Sequence, residues 1–280
     1  MKKKIAFATC VQLGLSCIEE IYQIGGKLDL LITLQDEKAV EKSGRVYLDE
    51  FANKHEIELL KINNINDQTV LSALDDNEID WLFIIGWSQI AKKEVLEKPR
   101  FGCIGMHPTL LPVGRGRAAI PWTILKNLSK TGVTMFKLDE GVDTGDIIAQ
   151  AQIKLSENIT STELYEKVND LHITLISNNW DNIVNNNITL TKQDEEEATY
   201  WRGRTPEEGE IFDSMTIVEA DRLIRAVTHP YPGAFYRKKD KTIRIWKSDI
   251  SKISGDIKLK DGYLILLEYE IEEKYHANKI

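Results

Sequence analysis

A chain of 280 residues with 42% hydrophobic and 29% charged side chains is long enough for one large domain, or for a core domain and a smaller one. Its formal net charge of −8 argues against a general affinity for nucleic acid, which needs a basic face, and leaves room for a local basic pocket for phosphates. Three cysteines without paired or metal-like spacing give no sign of a disulfide framework or a thiolate metal site.

The chain starts Met1-Lys2-Lys3-Lys4, and the apolar run that follows is too short for the core of a signal peptide. No later run approaches a membrane span, so the expectation is a cytoplasmic protein with no membrane partner. Lys4 to Thr9 is a short apolar run and predicts a buried parallel strand. Leu15 to Tyr22 carries apolar residues near helical spacing, and Gly25-Gly26 stops it. Cys10 and Cys17 read as packed thiols. Leu28 to Leu34 predicts a second buried strand. A β-α-β opening favours an open α/β sheet with right-handed crossovers. The first strand is not followed by G-x-G-x-x-G, and Gly14 alone does not make a dinucleotide site.

Val46 to His55 predicts a helix, Ile57 to Lys61 a short strand, and Asn63 to Asp67 the cap of a helix reaching Leu74. Asp80 to Ile85, DWLFII, is the strongest strand signal in the chain. It runs into Gly86-Trp87-Ser88-Gln89-Ile90, a candidate binding lip, because ligands of open α/β sheets sit beyond the carboxyl ends of the strands. Packing accounts for Trp87 equally well. Glu94 to Lys98 predicts a short helix that Pro99 ends.

Gly102 to Met106 then predicts a buried strand that delivers His107 at its carboxyl end, with Pro108 holding His107 out of the helical region. Most lone histidines are structural; its place at a strand end singles this one out for proton transfer. Gly114-Arg115-Gly116-Arg117 reads either as a solvated loop or as an anion site. Ile120 to Leu128 predicts a helix on which Trp122 reads as packing. Gly132 to Leu138 predicts a strand, and Asp139 to Asp146 an acidic turn. Asp and Gly are turn formers, so Asp139, Asp143 and Asp146 gain a chemical reading only together with His107, as a base with an orienting carboxylate. No H-x-x-x-H or cysteine cluster offers a metal site.

Ile147 to Lys154 predicts a strand and Ser161 to Val184 a helix on which His172 reads as structural. Lys192 to Thr199 is polar and acidic, a linker candidate. Ile217 to Val227 predicts a helix, His229 to Gly233 a rigid turn, and Ala234 to Tyr236 with Thr242 to Trp246 a hairpin around Lys238-Lys239-Asp240-Lys241. Leu259 to Ile271 is a further β-rich run. The expected division is 1–195 and a small β-rich subdomain over 196–280.

The combination H-P-T-L-L-P, G-R-G-R, P-W, T-G-V-T and V-D-T-G-D-I-I between His107 and Ile148 resembles the folate-dependent formyltransferases, and the similarity extends from about residue 1 to about residue 240. The resemblance implies an α/β fold: a Rossmann-like formyltransferase domain with a small β-rich carboxyl-terminal appendage. It implies N10-formyltetrahydrofolate as formyl donor and no metal. It makes His107 and Asp143 the catalytic pair. The donor is expected at Trp87, Gln89 and Ile90 on one wall and Asp139, Gly141 and Asp143 on the other, with Arg115 and Gly116 beside the acceptor. One position departs from the family pattern. The asparagine two residues before the histidine is Gly105 here, which removes an oxyanion donor of the kind worth about 2.7–4 kcal/mol in the transition state. Either protonated His107, a backbone N–H, a water or another side chain takes over, or the activity is altered.

The run RTPEEGEI and the later PYPGAF resemble the members that act on nucleotide-linked amino sugars, and the short acidic chain agrees with that acceptor better than with tRNA. Arg115, Arg117, Arg202 and Arg204 are the candidates to meet its phosphates. No nucleic-acid partner is favoured, and a homodimer is among the assemblies the resemblance allows. Methionyl-tRNA formylation, and a folate-fold binding protein without turnover, remain the alternatives.

Overall fold

The computed structural model describes residues 3–39, 44–238 and 241–273. The first elements are β1 (Ile5–Ala8), α1 (Gln12–Gln23), β2 (Leu30–Leu34), α2 (Asp36–Ala39), α3 (Asp49–His55), β3 (Glu58–Ile62), α4 (Gln68–Asp76), β4 (Trp81–Ile84), α5 (Lys93–Leu96) and β5 (Gly102–His107). There follow β6 (Arg115–Gly116), α6 (Ala119–Leu125), β7 (Lys130–Lys137), β8 (Ile147–Lys154), α7 (Ser161–Val184) and β9 (Tyr200–Trp201). The last are β10 (Glu210–Ile211), α8 (Ile217–Val227), β11 (Ala234–Lys238), β12 (Lys241–Ser251), β13 (Ile257–Leu259) and β14 (Gly262–Glu273).

The chain divides into two compact units. One takes the described residues of 1–116, 131–153 and 167–200, the other those of 117–130, 154–166 and 201–280. The units interleave in sequence, which a single cut at 195/196 does not express.

The first unit is built on a seven-stranded sheet in the order β3-β2-β1-β4-β5-β7-β8. The pairs β2–β3, β1–β2, β1–β4 and β4–β5 are parallel, and β5–β7 is antiparallel. The sequence dictates this centre. IAFA, LLITL and WLFI are unbroken apolar runs buried along their whole length, as strands covered on both faces must be. Phe7 and Phe83 stack at 5.5 Å between β1 and β4, and the Trp81 indole N–H donates to the Ile183 carbonyl at 3.1 Å. Parallel pairing of β4 with β5 sets their carboxyl ends side by side, so the loop after β4 and His107 emerge at the same end of the sheet.

The second unit carries a five-stranded sheet in the order β10-β11-β12-β14-β13, against which α8 packs. A capping box starts α8: the Thr216 hydroxyl accepts from the Glu219 N–H, and the Glu219 carboxylate accepts from the Thr216 N–H.

Several expectations shift. The helix expected from Val46 starts at Asp49, and the helix expected over Leu15 to Tyr22 runs from Gln12 to Gln23. Asp67 is the residue before α4, but its carboxylate accepts from the Asn64 N–H instead of from the helix. The run Leu259–Ile271 is two antiparallel strands, because Lys260-Asp261 turn the chain and Leu259 pairs with Gly262. The tip of the predicted hairpin, 239–240, lies outside the described residues.

Candidate active site

His107 ends β5 and is 7% exposed. Its Nε2 lies 2.8 Å from the Gly114 carbonyl oxygen. A carbonyl can only accept, so Nε2 carries the hydrogen and Nδ1 is the nitrogen left for exchange. Nδ1 faces the Asp143 carboxylate, with Oδ2 at 3.5 Å. That separation is long for a hydrogen bond and short enough to stabilise a positive ring. The same Oδ2 accepts the Gly116 N–H at 2.8 Å. Sequence reasoning placed His107 and Asp143 together, and the fold brings them together. Gly116, expected beside the acceptor, spends its N–H on the carboxylate instead.

The acidic turn holds its shape through its own side chains. Asp139 Oδ1 accepts from the Gly141 N–H at 3.1 Å and from the Thr144 hydroxyl at 2.7 Å. A Cβ at Gly141 would stand 1.9 Å from the Thr144 hydroxyl oxygen, so only glycine fits under that bond. Asp143 itself takes a left-handed conformation, φ 56°, which a short polar side chain tolerates better than most.

Residues outside the expected set fix the turn in place. The Gln193 amide donates to the carbonyls of Asp143 (2.8 Å) and Gly145 (2.7 Å). Its oxygen accepts from Arg115 Nε (3.1 Å) and Nη2 (2.8 Å). Arg115 further donates to both Glu195 carboxylate oxygens, at 2.9 and 2.7 Å, and to the Tyr200 hydroxyl at 2.8 Å. All five guanidinium N–H groups are thus used, and the residue is 0% exposed. The Glu195 bond holds Arg115 above its usual range, and Arg115 holds Glu195 below the usual carboxylate range. This corrects the reading of Arg115 as an acceptor-binding cation: its donors brace the Asp143 turn. It equally corrects 192–199 as a slack linker, since Gln193 and Glu195 anchor it. The one signal available in sequence was the Gln-x-Glu spacing, which is too common to read.

The lip after β4 turns elsewhere. The Gln89 side-chain oxygen accepts from the Ile65 N–H and the Trp87 indole N–H, and its amide donates to the Asn63 carbonyl. The Ile90 carbonyl accepts from the Asn66 amide at 2.9 Å, while its side chain is 70% exposed. Trp87 packs on the apolar core, together with Ala91 and Leu138. These bonds tie Gln89 and Ile90 to 63–66 and so fix the shape of the loop.

A cleft of about 540 Å³ lies in the same unit, lined by Leu96, Phe101, Gly102, Leu138, Asp139 and Gly141 among others. Neither His107 nor Asp143 lines it. Leu138 also covers the glycine two residues before His107: a Cβ on Gly105 would stand 2.6 Å from Leu138 Cδ2. An apolar side chain therefore fills the space that a side chain at 105 would take.

Beneath the site, His172 is 1% exposed on α7, and its Nδ1 lies 2.7 Å from the Val168 carbonyl oxygen. Burial, aided by the positive charge His107 can carry, pulls it down to about 4, so it stays neutral where His107 works. Among the described residues no cluster of His, Cys, Asp or Glu suits a metal ion, and no helix is long and apolar enough to cross a membrane.

A buried imidazole between a carbonyl and a carboxylate, at the carboxyl ends of parallel strands, is the equipment of a proton-transferring transferase or hydrolase. The chain belongs to the formyl transferase family: the Formyl transferase pattern matches residues 23–179 and the Formyl transferase, C-terminal domain pattern residues 204–274. It is 30% identical over 264 residues to the methionyl-tRNA formyltransferase of Alkaliphilus oremlandii, covering 94% of this chain and 84% of that protein. Its fold is that of the Helicobacter canadensis N-formyltransferase solved with folinic acid and dTDP-3-aminofucose, with TM-score 0.73, 22% identity, and coverage of 96% of this chain and 100% of that one. The methionyl-tRNA formyltransferase from Clostridium thermocellum shares the fold at TM-score 0.64 and 23% identity, covering 97% of this chain and 99% of that one.

Proposed function

We propose that this formyltransferase passes a formyl group from N10-formyltetrahydrofolate to the amine of a nucleotide-linked amino sugar. The observation that carries the chemistry is His107, whose Nδ1 is exchangeable and faces Asp143. The donor's ring is assigned to the cleft whose lining residue Leu138 also covers Gly105, two residues before His107. The 540 Å³ cleft is within the range of small-molecule sites, with Leu96 and Leu138 for an apolar ring and Asp139 and Gly141 for its polar edge. Lys93, Arg100 and Lys137 line the same cleft beside Glu97, Asp139 and Glu140; Lys93 is paired with Glu97 and Glu140 and Arg100 with Asp80, which among the described residues leaves Lys137 as the cation for a carboxylate of a glutamyl tail. When bound, the donor supplies the formyl carbon to which the acceptor nitrogen bonds as the bond to N10 breaks. His107 accepts the proton lost by that nitrogen at Nδ1 and passes it on to N10, which leaves as a neutral amine, while its Nε2–H stays on the Gly114 carbonyl. Asp143 stabilises the imidazolium so formed, and Gln193 with Arg115 keeps the carboxylate aimed.

The net charge of −8, and a TM-score of 0.73 to the Helicobacter canadensis enzyme against 0.64 to the Clostridium thermocellum one, support the sugar acceptor. A second reading, methionyl-tRNA, is favoured by 30% identity over 94% of the chain. Formyl transfer from N10-formyltetrahydrofolate to a panel of nucleotide-linked 3- and 4-amino sugars, run beside methionyl-tRNA, separates them. The proposal expects one sugar to be turned over and methionyl-tRNA to be left unmodified. The reverse outcome selects the second reading.

A further inference from the structure

The hydrogen on His107 Nε2 is held by the Gly114 carbonyl at 2.8 Å. That carbonyl belongs to the peptide between Gly114 and Arg115. A peptide is planar and trans, so its C=O and N–H point in opposite directions. The N–H of this one, on Arg115, donates to the Thr199 carbonyl at 2.9 Å. The peptide before it carries the Gly114 N–H, which donates to the Thr199 hydroxyl at 2.9 Å. Thr199 therefore holds the peptide planes on both sides of Gly114, whose φ of 77° lies in the left-handed region open to glycine. With both planes held, the Gly114 carbonyl is turned onto the imidazole.

The stretch before Gly114 is pinned independently. The Thr134 hydroxyl accepts from the Leu111 N–H at 3.0 Å and donates to the Thr109 carbonyl at 2.8 Å, and the Gln150 amide donates to the Leu111 carbonyl at 2.8 Å. The Thr199 N–H adds a bond to the Pro112 carbonyl at 3.2 Å. Losing the Thr199 hydroxyl thus releases one glycine and leaves the loop in place. Gln193, at the other end of the same segment, holds the turn that carries Asp143. The segment from Gln193 to Thr199 therefore grips both partners of the ring, the carboxylate at Nδ1 and the carbonyl at Nε2.

We infer that Thr199 is a positioning residue that sets the tautomer of His107 through the Gly114 peptide. The neutral ring has one hydrogen and two acceptors to choose between. If the Gly114 carbonyl swings away, the hydrogen moves to Nδ1, where the Asp143 carboxylate stands at 3.5 Å. Nδ1 then already carries a proton when the attacking amine has one to give up, and the ring cannot act as a base there. Sequence does not mark this role: Thr199 ends a polar stretch and is itself exposed, so its hydroxyl reads as solvated. The kinetic half of the inference rests on His107 as the base, as proposed above; the tautomer does not.

The test uses the full chain and two variants: Thr199→Val keeps the shape and deletes the hydroxyl, and Thr199→Ser keeps the hydroxyl. Proton–nitrogen correlation spectra of the imidazoles at alkaline pH report which ring nitrogen carries the hydrogen, with His107→Ala assigning the His107 signals. His172, whose Nδ1 donates to the Val168 carbonyl at 2.7 Å, is the internal reference for the opposite tautomer. The Nε2–H form of His107 is expected to dominate in the parent and in Thr199→Ser, and its excess over the Nδ1–H form to fall about tenfold in Thr199→Val. In steady-state formyl transfer to the amine the parent turns over, Thr199→Val is expected to lose about three- to tenfold in kcat, with both KM values within about twofold and Thr199→Ser near the parent. A tautomer unchanged in Thr199→Val overturns the inference, even if urea unfolding shows lost stability, and so does a Thr199→Ser variant as impaired as Thr199→Val. A shifted tautomer with kcat unmoved keeps the hold of Thr199 on the ring and refutes His107 as the base.

Discussion

Arg115 and Arg117 stand two residues apart in one Gly-rich loop and meet opposite environments. Arg115 is buried with every N–H donated, in a network that reaches Asp143 through Gln193. Arg117 is exposed and lies over Gly203, and its backbone N–H donates to the Trp201 carbonyl at 3.0 Å. Sequence offers no means to tell them apart, since both are arginines that follow a glycine. The difference comes from partners 78 to 86 positions later in the chain. One arginine has every donor used inside the fold, and the other lies exposed.

The sharpest way to break this contrast is to remove the charge that the braced side delivers. Asp143→Asn keeps an acceptor for the Gly116 N–H and deletes the carboxylate that stabilises charged His107. The expected loss in kcat is about 10²–10³-fold with little change in donor KM. Steady-state kinetics reads it, and an unchanged kcat assigns Asp143 to the turn alone. Gln193→Ala cuts the brace one step further out. Its expected effect is about 10-fold on kcat together with about 1–3 kcal/mol of stability, measured by urea unfolding, because two carbonyls and two Arg115 donors lose their partner.

Gly105 offers the opposite experiment, a gain. Gly105→Asn with Leu138→Ala supplies a neutral amide near His107 and clears the Cδ2 atom that crowds it. A rise in kcat of about 10-fold over Leu138→Ala alone is expected if the site lacks an oxyanion donor. No rise means that another group already fills that role.

The smallest effect concerns His172. Its folded state holds the ring neutral down to about 4, while the unfolded chain protonates near 6.5. The unfolded state therefore binds the extra proton. Stability is full above about pH 6.5 and falls as pH drops towards 4, by roughly 3 kcal/mol at most from this one group. His172→Leu is expected to flatten that part of the urea-unfolding profile between pH 6.5 and 4.5. A slope identical to the parent's places the loss in other groups.

The strands were legible because burial on both faces forces unbroken apolar runs: IAFA, LLITL and WLFI could hardly be anything else. Ile147–Lys154, Ser161–Val184 and Ile217–Val227 fell where alternation and helical spacing put them. His107 and Asp143 were legible because a strand end and an acidic turn point to chemistry that a motif combination then narrowed. The brace was not legible. Gln193 and Glu195 sit in a polar stretch whose composition is that of a linker, and only tertiary folding turns them onto Arg115. The partners of the lip were hidden for the same reason, since Gln89 and Ile90 have hydrogen-bond partners at 63–66 that no local pattern announces. The Lys260-Asp261 turn was missed inside a run whose β propensity is high on both sides.

Formyl transfer at His107 is the claim on which the rest depends, and single-turnover transfer by the parent chain and by His107→Ala tests it most directly. With N10-formyltetrahydrofolate and the preferred amine, the expected result is a loss of about 10³-fold in the variant, with both ligands still bound. Full-rate transfer by His107→Ala would contradict the account.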